Sequence, residues 1–196
     1  MISTMHTARR FPTSKSIVAP GLFQKRPGAF FIAIGIGVCY DTYKGGDGME
    51  IRFVTPDSED FRLLAAELDA YYFSLVGDIQ NRYAGVNRPE NMNALAVVYA
   101  DEAPIAIGAW KRVDEKTAEI KRIYVRPAYR RQRVASRLIL ALEDSAVAAG
   151  FRQFILETAR NTDSSHQLYF SLGYTIIDYY GSPAGAENCL CFYKER

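Results

Sequence analysis

Cysteine and histidine are scarce in this chain, with three cysteines (Cys39, Cys189, Cys191) and two histidines in 196 residues. So few thiols at such uneven spacing exclude a disulfide framework, and a Cys-x-Cys pair lacks the spacing of a zinc knuckle. A reducing, cytoplasmic setting is the default reading. On a strand, Cys189 and Cys191 would share one face as small core residues. His6 and His166 lie far apart, near no partner cluster, so no metal site is suggested. Long apolar runs are missing too. The run at 29–40, AFFIAIGIGVCY, is 12 residues, well short of the roughly 20 that a spanning helix needs, so no stable membrane insertion is expected. Nor does one sign of charge dominate: 24 Lys plus Arg stand against 22 Asp plus Glu. Residues 1–48 carry +4 and residues 49–196 carry −2. The main body is therefore not globally basic, and nucleic acid is not expected as its partner. What is present, 48% hydrophobic and 23% charged residues, suits one well-buried domain and excludes a disordered or collagen-like chain.

Residues 1–28 hold several Arg and Lys, many Ser and Thr and no acid, which has the flavour of a targeting presequence. No small-x-small cleavage site follows the apolar run, and DTYKGGDG after it reads as a Gly-rich linker. Residues 1–48 are read as an N-terminal extension, disordered or outside the domain, with targeting or peripheral membrane contact and an integral structural part as the other readings. The domain spans 49–196.

Met49 to Val54 alternates like a half-buried strand, Thr55 caps, and Pro56 suits a first helical position. Phe61, Leu64, Ala65, Leu68, Tyr72 and Leu75 then share one helical face up to Gly77. Residues 77–93 form an irregular segment placed to overhang a site. Three strand-like runs follow at 94–100, 105–113 and 117–125, with short turns between them that predict an antiparallel meander. Val134, Leu138, Leu142 and Ala146 mark a second helix closed by Gly150. A short strand at 154–156, a helix at about 164–172 closed by Gly173, and a hairpin of 174–179 with 188–193 complete the chain. The result is an α/β (α+β) sandwich: a mixed, mostly antiparallel sheet of about seven strands flanked by three or four helices.

The stretch from Glu119 to Ser136, EIKRIYVRPAYRRQRVAS, carries the chemistry. A strand ends, a tight turn follows and a helix begins, so unpaired backbone N–H groups converge where an anion binds. Arg126, Arg130, Arg131, Arg133 and Arg137 surround that place and would neutralise phosphates. This junction resembles that of the GNAT superfamily of acyl-CoA-dependent N-acetyltransferases, whose loop reads Q/R-x-x-G-x-G/A. Here it reads Arg130-Arg131-Gln132-Arg133-Val134-Ala135, matching at the first and last positions, with Arg133 in place of the central glycine. IYVRPAYRR before the loop and NTDSSHQLYFSLGY after it also look like family segments, so the likeness covers nearly all of residues 49–196.

The resemblance implies acetyl-CoA as co-substrate, no metal, and a primary amine of a small molecule as acceptor. In the family, the strand before the loop splays from the strand after the helix. A pantetheine arm lies in the gap, bonded to backbone groups equivalent to Ile123, Tyr124 and Val125. The loop residues Arg130, Arg131, Gln132 and Arg133 cradle the phosphates with Val134, Ala135 and Ser136. Asn161 matches a position that holds the pantetheine arm. The amine attacks the thioester directly, a strand N–H holds the oxyanion, and Tyr169 occupies the general-acid position. A phenol near pKa 10 is a fair match for a thiol near 8.5. Glu119 or Glu157 would take the proton of the ammonium substrate, and the reading favours Glu119. Strand alternation puts Glu119, Lys121 and Ile123 on one face and Ile120, Arg122 and Tyr124 on the other. Trp110, the only tryptophan, reads as core or as a wall of the acceptor pocket. Arg133 is expected to weaken cofactor binding without abolishing it. The other reading is a non-catalytic acyl-CoA-binding or protein-interaction module that has kept the fold. A sheet edge near the final hairpin would suit a homodimer.

Overall fold

The structure is a computed structural model that describes residues 29–32, 40–44, 48–77, 85, 87–181 and 187–196. Its elements are β1 (Ala29–Ile32), β2 (Tyr40–Lys44), β3 (Met49–Val54), α1 (Glu59–Val76), β4 (Ala94–Ala100), β5 (Ala103–Arg112), β6 (Thr117–Val125), α2 (Val134–Ala148), β7 (Gln153–Ala159), α3 (Asp163–Ser171), β8 (Thr175–Ile177) and β9 (Cys189–Glu195).

The helices begin and end where local chemistry permits. The Ser58 hydroxyl accepts from the Phe61 N–H at 3.3 Å, and Glu59 and Asp60 complement the positive end of the α1 dipole. The expected start at Thr55 and Pro56 is corrected: Thr55 to Ser58 is a turn, closed by the Ser58 N–H on the Thr55 carbonyl at 3.0 Å. Gly77, at φ 59°, ends the helix in a conformation that favours glycine. Gly150 and Gly173, at φ 101° and 86°, follow α2 and α3 in the same way.

Among the described residues, nine strands form one sheet in the order β1-β2-β3-β4-β5-β6-β7-β9-β8. Seven come from residues 49–196, as expected, and three α-helices accompany them. The other two, β1 and β2, arise in the segment set aside as an extension, and their backbone continues the sheet antiparallel beyond β3. The expectations for residues 1–28, 33–39, 45–47, 78–84, 86 and 182–186 lie outside the described residues. Every neighbouring pair is antiparallel except β6 with β7.

Two apolar layers sandwich the sheet. On one face Phe61, Leu64 and Leu68 of α1 meet Leu95, Val97 and Ile107. On the other, Leu138, Ile139 and Leu142 of α2 join Ile120, Phe154, Leu156 and Tyr169 in the larger cluster. Each such side chain removed from water contributes about 1.5 to 3 kcal/mol against chain entropy. Trp110 belongs to this larger core, packed on Phe151 at 5.3 Å with its indole N–H on Ser145 at 3.3 Å. Among the described residues no helix is long and apolar enough to cross a membrane.

Candidate active site

The parallel pair is short. β6 meets β7 only at Thr117–Gln153, Ala118–Phe154 and Glu119–Ile155, after which the strands part. From Ile120 to Val125 the β7-facing edge of β6 has no strand partner, while β7 stays paired with β9 to Ala159. A cleft thus opens in mid-sheet, at the place where the sequence reading expects one.

β6 also carries a bulge that the alternation reading misses. Ile107 pairs with Tyr124 but Ala109 pairs with Lys121, so one residue of β5, Gly108, faces two of β6. Arg122 takes the left-handed conformation at φ 59°. Its guanidinium reaches α1, with Nη1 and Nη2 on the Asp69 carboxylate at 2.6 and 3.0 Å and Nη2 on the Ala65 carbonyl at 2.9 Å. The bulge reverses the side-chain phase: Ile123 leaves the face of Glu119 and Lys121 and packs with Ile120 in the α2 core. Gly108 makes room for this, because a Cβ there would lie 2.7 Å from the Ile123 Cδ1. A lone glycine inside a strand was the sequence signal for it.

The loop before α2 combines left-handed residues with a bare helix N-terminus. Arg131 and Arg133 both have φ 61°, and Arg133 serves as N-cap without a side-chain capping bond. The first helical bond is the Arg137 N–H on the Arg133 carbonyl, so the preceding amides of the first turn have no helical acceptor. Alternating left-handed residues followed by a helix N-terminus form a concave set of backbone donors.

Two adjoining cavities occupy the cleft. The larger, about 520 Å³, is lined by Ile123, Tyr124, Val125, Arg130, Arg131, Arg133, Val134, Ala135 and Ser136, with Tyr71 and the α3 residues Ser164, Ser165 and Leu168. The smaller, about 110 Å³, lies toward α1 and is lined by Leu68, Asn87, Lys121, Arg122, Glu157 and Cys189 among others. Tyr72, Ile123, Thr158 and Tyr169 line both. The Tyr169 ring packs 5.4 Å from Phe192 and 5.9 Å from Tyr174, and burial pushes its phenol well above its ordinary pKa.

The Acetyltransferase (GNAT) family model matches residues 58–174. The chain belongs to this family of acetyltransferases. Acetyl-CoA-dependent acyl transfer is the family reaction. Solved structures of similar fold include an acetyltransferase from Streptococcus agalactiae 2603, at TM-score 0.60 and 20% identity over 76% of this chain and 99% of that one. A PaiA N-acetyltransferase from Thermoplasma acidophilum, in complex with coenzyme A, aligns at TM-score 0.60 and 17% identity over the same shares. An IAA acetyltransferase from Bacillus cereus ATCC 14579 aligns at 0.58 and 17%, again over 76% and 99%. No curated protein matches the chain in sequence.

Most of the residues assigned from the GNAT resemblance come together at the cleft, but some do not. Gln132 is exposed and points its amide N–H at the Ala128 carbonyl at 3.2 Å. Asn161 is exposed on the turn between β7 and α3 and is absent from both linings. Arg126, grouped with the phosphate arginines in the sequence reading, is committed to Glu67 (2.6 Å from Nη2) and the Pro104 carbonyl (2.8 Å). The Glu67 carboxyl is held below its usual pKa by that guanidinium. Glu119 lies outside both linings, buried between Lys121 at 3.0 Å and Lys111 at 3.2 Å, and accepts from the Tyr180 hydroxyl at 3.2 Å. Glu157 does line the smaller cavity and accepts from the Tyr179 hydroxyl at 3.3 Å. Sequence reasoning missed Tyr71, Asn87 and Thr158, which no motif marks.

The GNAT loop accommodates Arg133 at a conformational cost. A non-glycine residue in the left-handed region loses about 1 to 2 kcal/mol, partly offset by the ~0.5 to 1 kcal/mol that glycine loses in ordering. Arg133→Gly is expected to raise stability by up to about 1 kcal/mol in urea unfolding. The same variant is expected to bind acetyl-CoA more tightly by calorimetry, because more molecules hold the competent loop conformation. Equal or weaker affinity would show that the lost charge outweighs the relieved strain.

Proposed function

We propose that the chain is an N-acetyltransferase that moves the acetyl group of acetyl-CoA to a primary amine of a small molecule, by direct attack in a ternary complex. The observation that carries this is the pair of cavities sharing Tyr72, Ile123, Thr158 and Tyr169 at the parting of β6 and β7. The larger, with its backbone donors and Arg130, Arg131 and Arg133, suits a nucleotide diphosphate. Ile123, Tyr124 and Val125, on an unpaired strand edge, suit the amide-bearing arm. The smaller cavity then takes the acceptor. Acetyl-CoA supplies a thioester carbonyl; the chain orients the amine toward it, excludes water, and manages two protons. A cytoplasmic setting belongs to the same reading, in keeping with the three cysteines in 196 residues.

In this reading Tyr169 protonates the departing sulfur, a role supported by its presence in both linings and by burial that keeps its phenol in the acid form. Glu157, rather than Glu119, is the proposed base. Glu119 is enclosed by two ammonium groups and a phenol, whereas Glu157 is on the wall of the cavity.

A thiol-release assay across an amine panel, run beside acetyl-CoA calorimetry, tests the reading. Binding without turnover would identify a non-catalytic acyl-CoA-binding module instead. Glu157→Gln is expected to lower kcat/KM for the amine about a hundredfold at neutral pH. Partial recovery is expected in alkaline buffer, where the amine arrives already deprotonated. If Glu119→Gln shows that alkaline recovery and Glu157→Gln does not, the base is Glu119.

A further inference from the structure

Two adjacent tyrosines that belong to neither cavity lining reach the two strands that part at the cleft. In the irregular segment after β8, the Tyr179 hydroxyl donates to Glu157 Oε1 on β7 at 3.3 Å, and the Tyr180 hydroxyl donates to Glu119 Oε1 on β6 at 3.2 Å. Their rings stack, with centroids 6.5 Å apart and planes at 14°. Glu119 gives the pair a fixed footing, since Lys111 and Lys121 already hold its carboxylate at 3.2 and 3.0 Å. We infer that Tyr179 is a positioning residue, which sets the orientation of the Glu157 carboxylate for taking a proton from the acceptor, and that Gly181 provides the space this requires. The inference rests on the reading of Glu157 as the base.

Gly181 is an independent observation. A Cβ at that position would fall on the Tyr179 hydroxyl and lie 2.6 Å from the Tyr179 Cζ, closer than real Cβ contacts come. Its φ lies outside the left-handed region, so the backbone would admit alanine and the need is for space alone. The phenol therefore folds back over its own chain, and the missing side chain at 181 leaves its hydroxyl beside Glu157. Pairing of Glu157 with Cys191 fixes the β7 backbone at this point, while the last torsion of a glutamate is soft. A donor on one carboxylate oxygen sets the direction of both, and a hydrogen bond to a charged group is stronger than a neutral one. A base acts only within hydrogen-bond reach of the proton it takes, so a held carboxylate spends more of its time in the productive geometry.

The test is thiol release from acetyl-CoA by the full chain with two probe amines at neutral pH, corrected for the uncatalysed rate. Propylamine arrives as an ammonium ion and needs a base, whereas methoxyamine is already uncharged and does not. Tyr179→Phe keeps the ring and removes the hydroxyl; Gly181→Ala keeps the phenol and displaces it. Each is expected to lower kcat/KM for propylamine about tenfold and to leave methoxyamine within about twofold. Neither is expected to lower the propylamine rate further in a Glu157→Gln background. The two variants reach one hydrogen bond by different routes, so the question stays decidable if one of them fails to fold. An equal loss with both amines would mark a merely structural role. That result, undiminished propylamine turnover in either folded variant, or the tenfold loss persisting beside Glu157→Gln would overturn the inference and leave the base reading standing. The base reading is judged by Glu157→Gln alone: if that variant keeps the propylamine rate, the base reading falls and the inference with it. No release from the unaltered protein with either probe or with any amine of the panel sinks the transferase reading and the inference together.

Discussion

Tyr169→Phe is expected to lower kcat about a hundredfold while leaving the KM for acetyl-CoA within about twofold, measured by steady-state thiol release. The substitution keeps the ring, and with it the contacts to Phe192 and Tyr174 at 5.4 and 5.9 Å, so the α3 packing survives. It removes only the hydroxyl, a group expected to act in the transition state and not in holding the nucleotide. General acid catalysis contributes between about 10² and 10⁴, and a thiolate is already a fair leaving group, which places the loss at the lower end. The phenol adds a pH signature. Burial disfavours its charged form and moves its pKa above the ordinary value, so the acid form persists further into alkaline solution. Activity of the unaltered enzyme is therefore expected to show no loss with a midpoint at or below about pH 10. Undiminished turnover of the phenylalanine variant would remove Tyr169 from the chemistry.

The largest expected loss of stability lies away from the cleft. Glu143 on α2 is fully buried and accepts from the Tyr174 hydroxyl at 2.8 Å, Lys194 Nζ at 2.6 Å and Arg196 Nη1 at 3.3 Å. The three donors tie α2 to the last strand and to the residue that opens the final hairpin. Burial, and then the Glu143 charge, push the Tyr174 phenol far upward, so that it stays a donor to the carboxylate. Glu143→Ala would leave Lys194, mostly shielded from water, without its anion, and a buried hydroxyl without its acceptor. Breaking a buried pair in this way costs about 3 to 5 kcal/mol, a large part of the roughly 5 to 15 kcal/mol that holds a domain folded. Urea unfolding checks it. Replacing the buried set together, Glu143→Leu with Lys194→Met and Tyr174→Phe, is expected to recover much of the loss, since apolar groups of similar volume carry no desolvation penalty and Arg196 keeps its pair with Asp144 at 2.8 Å. A single-variant loss under 1 kcal/mol would mean that solvent reaches the site and screens the charges.

Much of the fold was legible because its signals are local. The spacing of Phe61, Leu64, Ala65 and Leu68 marked a buried helical face, and glycines at 77, 150 and 173 marked the helix ends at positive φ. The turns between 94 and 125 marked the meander, and the break after Val125 marked the turn into α2. What escaped depends on partners distant in sequence. Lys111 opposes Glu119 only once β5 and β6 are in register, so the enclosure of that carboxylate by two ammonium groups has no linear signature. Arg126 looked like one more phosphate ligand until α1 brought Glu67 beside it. Asn87 and Arg122 belong to different elements, and only tertiary folding places them on one wall. The start of α1 erred for a local reason: Thr55-Pro56 and Ser58-Glu59-Asp60 are both plausible beginnings, and the second also supplies acids for the first turn.

The bulge at Arg122 has a consequence for how densely a strand can arm a cavity. A regular strand advances about 3.3 Å per residue and so delivers a side chain to a given side only every ~6.6 Å. Here Lys121 and Arg122, adjacent in the chain, both line the smaller cavity, and that stretch of wall receives two basic groups where an even pleat would supply one. Deleting a single residue at this point would restore the even pleat and remove a member of the set altogether, an effect that no side-chain substitution along the strand reproduces.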